Sequence, residues 1–221
     1  MEVSVPPAPA SAREHFGEHL PKLQRYAAVL ADAAVVRGHL GPREVDRLWD
    51  RHLLNCAVVA SGIAPAHRVA DVGSGAGLPG LVLAILLPGV EFTLLEPMLR
   101  RATFLEETVG LLGLTNVRVC RARAEECSDL RGSFEVVTAR AVAPLDRLAG
   151  WTLPLLVPGG RLLALKGASA AAEVETARPL LDRSGVATVV VRGYGVGILD
   201  PATTVVEITT GPAVVSRETR S

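Results

Sequence analysis

The sequence is poor in lysine and cysteine, and it carries no excess charge of either sign. Lysine plus arginine total 23, aspartate plus glutamate total 23, and the isoelectric point is near 7.0. Such a chain has no whole-molecule field to draw it toward nucleic acid or an anionic membrane. Only Lys22 and Lys166 are lysines; the rest of the lysine-plus-arginine total is arginine. Arginine suits bidentate phosphate contacts, but beside so much Ala, Val, Leu and Gly the bias reads first as gene base composition. The three cysteines, Cys56, Cys120 and Cys127, form no CxxC pair and no even disulfide framework, which points to a reducing interior. The longest apolar stretch, Leu78 to Val90, is broken by Pro79, Gly80, Pro88 and Gly89 and is too short to span a bilayer. The opening MEVSVPPAPASA lacks the basic and apolar regions of a signal peptide. A soluble, cytoplasmic protein is expected.

What is present is core-forming material: 49% of the 221 residues are hydrophobic, which excludes wholesale disorder and suits one large α/β domain. Residues 1–12, rich in Pro, Ala and Ser, read as a flexible tail. Residues 13–64 read as a helical section. Leu20, Leu23, Tyr26, Ala27 and Leu30 share one face, and a second helix runs from Arg43 through Ala60. Residues 65–210 then alternate short strands and helices, which implies right-handed crossovers and a parallel sheet covered on both faces. Strands are expected at 68–72, 91–95, 117–121, 134–139 and 161–166. The last two strands, 187–192 and 203–210, are joined by a link too short for a crossover helix and should pair antiparallel at the sheet edge. Residues 211–221 read as a second flexible tail.

The most informative stretch is Asp71-Val-Gly73-Ser-Gly75-Ala-Gly77-Leu-Pro-Gly80, where the first strand gives way to a helix. Glycines there let the backbone turn sharply and approach a ligand, and the helix start offers free N–H groups. Glu96 ends the second strand, about 20 residues further on, where a carboxylate accepts hydrogen bonds from ribose hydroxyls. The alternative is a glycine-rich turn without a ligand. Gly75-x-Gly77-x-x-Gly80 also matches the dinucleotide fingerprint, so a nicotinamide enzyme or an NAD-binding sensor must be weighed. Against it, Asp71 would repel a pyrophosphate but favour an amino group or a sulfonium. No Tyr-x-x-x-Lys pair is present to serve hydride transfer. S-adenosylmethionine is the better ligand.

With RLWDRHLLN (47–55), DVGSGAGLPG (71–80), LLEP ending at Pro97, FLEE (104–107), ARAVAPL (139–145) and GRLLALKG (160–167), the chain resembles the RsmG (GidB) family of bacterial 16S ribosomal RNA guanine-N(7) methyltransferases. Ala76 stands where some members have proline. The resemblance implies a class I S-adenosylmethionine-dependent methyltransferase: α/β, Rossmann-like, with a seven-stranded, mostly parallel sheet ending in an antiparallel pair and preceded by N-terminal helices. It implies S-adenosylmethionine as cofactor, S-adenosylhomocysteine as product and no metal. The implied partner is 16S ribosomal RNA or the small ribosomal subunit, and a monomer is expected. Gly73 and Leu78 match cofactor contacts, Glu96 the ribose-binding carboxylate, Ala124-Glu125 the adenine segment, and Arg140 an arginine between cofactor and substrate. Asp71, Gly75 and Gly77 complete the expected cofactor site.

The fourth-strand exit reads Thr-Ala-Arg-Ala-Val-Ala, neither the Pro-Pro-aromatic sequence used on exocyclic amines nor a Pro-Cys nucleophile. That fits a target such as guanine N(7), whose lone pair needs no general base, so that catalysis is mainly alignment. Arg140 and Lys166 are the candidate catalytic residues, with Lys166 facing the cleft to contact RNA. Arg140 is read as holding a phosphate, guanine O6 or the cofactor carboxylate, because an arginine bonded to N(7) would occupy the nucleophile. His52 lines the cleft or packs a helix; Trp49 and Trp151 read as core. Arg100, Arg101, Arg121, Arg123 and Arg147 form a candidate positive rim. A small-molecule methyltransferase on the same fold is the remaining alternative.

Overall fold

The computed structural model describes residues 5–212. Its sheet is built from β1 (Arg68–Val72), β2 (Glu91–Leu95), β3 (Val117–Cys120), β4 (Phe134–Arg140), β5 (Leu156–Leu165), β6 (Val186–Tyr194) and β7 (Thr203–Thr210). The strand order is β3-β2-β1-β4-β5-β7-β6. The first five strands are parallel, whereas β7 lies antiparallel to both β5 and β6. The expected antiparallel pair is therefore present, with β7 tucked inside and β6 left as the edge. β5 starts earlier than the expected 161–166 and runs through Val157-Pro-Gly-Gly160. The register with β4 slips between Phe134 and Val136, and that irregularity accommodates the proline.

Strand residues alternate between two cores, as the period of two dictates. Val69, Val136 and Leu163 face one apolar cluster, while their neighbours Ala70, Val137 and Leu162 face the other. The second cluster is closed by α6 (Leu145–Thr152) and α7 (Ala170–Leu181). The first is closed by α4 (Gly80–Leu86), α5 (Leu99–Leu112) and the whole N-terminal section. That section comprises α1 (Ala10–Phe16), α2 (Leu20–Val29) and the short α3 (Asn55–Ala57). It shares one continuous core with the sheet.

Two expectations for this section differ from the structure. The helices are not continuous: π turns at Leu30–Ala34 and Leu48–Leu54 and tighter turns at Pro42–Arg47 and Val58–Gly62 interrupt them. Nor is the leading dozen a loose tail throughout. Helix α1 starts at Ala10, Ala8 and Ala12 are buried, and Trp49 Nε1 donates to Pro6 O at 2.7 Å. Small alanines fit closely against neighbouring side chains, a signal that composition alone reads as disorder. Residues 1–4 and 213–221 of the two expected tails lie outside the described residues. Among the described residues no helix is long and apolar enough to cross a membrane.

Candidate active site

The carboxyl ends of β1 to β5 converge beside the point where the strand order reverses, between β1 and β4, as ligand sites in open α/β sheets do. The glycine loop after β1 is pinned from several sides. Gly73 and Ser74 N–H groups donate to Leu95 O at 2.8 and 3.2 Å. The fully buried Tyr26, on α2, donates its hydroxyl to Ala76 O at 2.7 Å. Gly80 must be glycine: an added Cβ would meet Leu94 Cδ2 at 2.4 Å and Asp71 Oδ2 at 2.7 Å.

Asp71 is completely buried and faces the loop backbone. Its Oδ2 accepts from Gly80 N–H at 3.1 Å and its Oδ1 accepts from Thr138 Oγ1 at 2.8 Å. Burial pushes its carboxyl up to about 6 against these hydrogen bonds. Asp71, expected at the cofactor, lies behind the cavity wall and holds the start of α4 to the end of β1. Gly75, Gly77 and Leu78 are likewise absent from the cavity wall. Gly77 is buried, Leu78 packs against the core, and Gly75 supports Glu96.

Glu96 does face the cavity. Its Oε2 accepts from Gly75 N–H and its Oε1 from Met98 N–H, both at 3.0 Å, so the buried carboxylate is oriented by backbone at both oxygens. Each oxygen keeps a lone pair for a ligand hydroxyl. The cavity, about 260 Å³, is also lined by Gly73, Ala122 to Glu125, Met98, Arg101, Val142 and Trp151. Polar edge and apolar wall suit a nucleoside: ribose against Glu96, a base against the Ala122–Glu125 segment. The donor set thus fits S-adenosylmethionine. Trp151, expected in the core, is only half-buried, with the Arg147 guanidinium 5.2 Å from its ring centroid. Trp49 is core as expected.

A second cavity, about 690 Å³, opens on the other side of the loop after β4. Its lining includes Arg51, Asn55, Arg140, Pro144, Lys166 and Glu173, and it shares Ala141 and Val142 with the first cavity. Ala141 has φ +54, a conformation that costs a non-glycine residue about 1–2 kcal/mol. Val142 leans onto Gly73, where an added Cβ would meet Val142 Cγ2 at 2.7 Å.

Arg140 lies where expected, at the end of β4 and on the wall of this cavity. Its guanidinium donates to Cys56 Sγ at 3.1 Å and lies 2.5 Å from His52 Nδ1. Lys166 is placed on the same wall but is not a free cation. Its ammonium is 2.7 Å from Glu173 Oε2 and donates to Ala143 O at 2.7 Å. Glu173 also accepts from Leu145 N–H at 3.0 Å and from Ser169 Oγ at 2.9 Å. Lys166 thus ties the β4–α6 loop while standing on the cavity wall. Tyr26, Thr138, Val142, Arg51 and Glu44 are contributors that sequence patterns did not single out.

A family model described as GidB, rRNA small subunit methyltransferase G, matches residues 19–196. The ribosomal RNA small subunit methyltransferase G of Thermobifida fusca (strain YX) is 58% identical over 97% of this chain and 90% of that protein. Its namesake in Mycolicibacterium gilvum (strain PYR-GCK) is 52% identical over 91% of this chain and 89% of that one. Among solved structures, an S-adenosylmethionine-dependent O-methyltransferase from Thermotoga maritima aligns with a TM-score of 0.54 at 16% identity, covering 72% of this chain and 66% of that one. TYW2 of M. jannaschii in complex with AdoMet aligns at 0.55 with 16% identity, covering 72% and 74%. These last two likenesses concern the fold alone. By the extent of the family match and the identity to its members, the chain belongs to the GidB family, rRNA small subunit methyltransferase G.

Proposed function

We propose that this protein transfers a methyl group from S-adenosylmethionine to guanine N(7) in 16S ribosomal RNA. The observation that carries the reading is the pair of unlike cavities meeting at Ala141 and Val142, one built around Glu96 and the other around Arg51 and Arg140. S-adenosylmethionine, when bound, supplies an electrophilic methyl on a sulfonium. Glu96 would hold its ribose and the Ala122–Glu125 segment its adenine, leaving the target base to enter beside Arg140. The carboxylate on the second cavity's wall, Glu173, is already tied to Lys166, so it is not a ready general base. That suits N(7), which presents an unprotonated lone pair in the ring plane. The chain's task is then to align the nitrogen with the methyl and keep water away, an orientation effect. Arg140 would grip O6 or a phosphate, not N(7) itself.

The test is base mapping of small-subunit RNA from a strain lacking the gene, followed by incubation with purified protein and S-adenosylmethionine. Loss of one N(7)-methylguanine, restored by wild type and not by Arg140→Ala, is the expected result. An unchanged methylation map, or thermal stabilisation by NAD and not by S-adenosylmethionine, would overturn it.

A further inference from the structure

Three side chains, two from the N-terminal section and one from the end of β4, form a chain of contacts beside the second cavity. Glu44, in the turn Pro42–Arg47, has its Oε2 2.8 Å from Nε2 of His52, in the π turn Leu48–Leu54. His52 Nδ1 lies 2.5 Å from Nη2 of Arg140. His52 is buried, with 5% of its surface exposed.

The chemistry of the two ends determines the proton in the middle. A guanidinium donates hydrogen bonds and cannot accept them, whereas a carboxylate only accepts. Both contacts are satisfied together when the imidazole is neutral, with its proton on Nε2 and its lone pair on Nδ1 turned to Arg140. An imidazolium would set a second cation against the guanidinium in a buried place. Glu44 remains ionised: burial opposes this, but the hydrogen bond from His52 and the charges of Arg51 and Arg47 hold its carboxyl below the usual range.

Arg140 needs such a hold. The next residue, Ala141, is in the left-handed region, and the loop beyond is tied back by Lys166 to Ala143 O. Strained backbone beside a binding wall persists only when its surroundings over-determine it. From the N-terminal section, His52 and Cys56 each take one guanidinium nitrogen, which leaves other N–H groups of Arg140 for a ligand.

We propose that His52, locked in its Nε2-protonated form by Glu44, is a positioning residue that sets Arg140 for the methyl-accepting base. This inference rests on the reading above that Arg140 meets the RNA substrate. It makes the N-terminal section part of the catalytic apparatus through an acceptor atom, and not merely through packing.

Two substitutions separate the two bonds of the imidazole. His52→Asn places its amide oxygen where Nδ1 stands and keeps the acceptor for Arg140. His52→Gln places its amide nitrogen near Nε2 and keeps the donor to Glu44. With S-adenosylmethionine and small-subunit RNA, His52→Asn is expected to retain kcat within about threefold, whereas His52→Gln lowers it about ten- to a hundredfold, the range for a misplaced orienting group. Cofactor affinity by calorimetry should be unchanged in both. Nitrogen-15 NMR of wild type should show His52 protonated on Nε2 and bare on Nδ1, a readout that needs no variant to fold. The reverse activity order, equal rates in both variants while Arg140→Ala is inactive, or a proton on Nδ1 would each overturn the proposal. Full activity in Arg140→Ala would instead remove the site reading on which it stands.

Discussion

Two buried ionisable side chains near the site, Asp71 and His52, are displaced in opposite directions. Burial raises Asp71 from 3.8 to about 6. Burial first, and then the nearby Arg140 charge, lowers His52 from 6.5 to about 4. For Asp71, the folded form holds a proton that the unfolded form has released, so its contribution is full below about 4 and lost as pH rises through 6. For His52 the contribution is full above about 6.5 and lost as pH falls toward 4. Each amounts to roughly 3 kcal/mol by linkage, so between pH 4 and 6 the two slopes offset. Wild-type stability should therefore vary little across that window from these groups. Asp71→Asn, which can still bond Gly80 and Thr138, should leave stability rising with pH, and His52→Asn should leave it falling. Urea unfolding at several pH values reads the slopes; flat profiles in both variants would refute the assignment. Glu96 belongs to the same scale: Glu96→Ala should weaken S-adenosylmethionine binding by about 1–3 kcal/mol through lost charged hydrogen bonds, as calorimetry would show. Glu96 was legible in the sequence because a strand-ending acid after a glycine loop is a local pattern. The hydrogen bonds of His52 with Arg140 and of Thr138 with Asp71 were not, since those partners lie 88 and 67 residues away.

At the level of elements, the glycine loop depends on a helix that composition alone would assign to a separate section. Tyr26 reaches from α2 to Ala76 O across 50 residues, with its ring completely buried. Tyr26→Phe keeps the ring and deletes the hydroxyl, leaving a buried carbonyl unpaired. It should cost about 1–3 kcal/mol of stability. Cofactor affinity should fall as well, although Tyr26 does not touch the cavity, because the loop that anchors Glu96 through Gly75 is loosened. Chemical unfolding and calorimetry on the one variant test both halves, and unchanged values would show that the loop stands without α2. The strands were read within a few residues because apolar runs bounded by Gly and Pro mark them locally. The order β5-β7-β6 and the π turns were not, because strand neighbours and an extra residue per turn are settled by packing.

For the whole molecule, neutrality conceals an uneven distribution of charge. Arg51 and Arg140 stand on the wall of the second cavity, and Arg101 and Arg123 on that of the first. The total of zero gives little long-range attraction, so recognition has to come from a folded RNA surface that meets several of these groups at once. Short loop oligonucleotides should be poor substrates beside intact small-subunit RNA or particles. Binding should still weaken with salt, with a log–log slope near −0.7 for each single-strand phosphate contact. The structure divides the cations on this point. Arg51, half exposed, pairs with Glu44 through its Nε at 3.4 Å, which leaves its terminal N–H groups to engage a phosphate. Lys166 has its charge committed to Glu173 and is only 9% exposed. Arg51→Ala should therefore reduce the steepness of the salt dependence by about 0.7, whereas Lys166→Ala should leave it unaltered and destabilise the β4–α6 loop. A salt series with both variants decides between a cleft cation and a structural one at position 166. A flattened slope in Lys166→Ala would return that ammonium to the RNA, and efficient methylation of the short oligonucleotide would reduce recognition to local sequence.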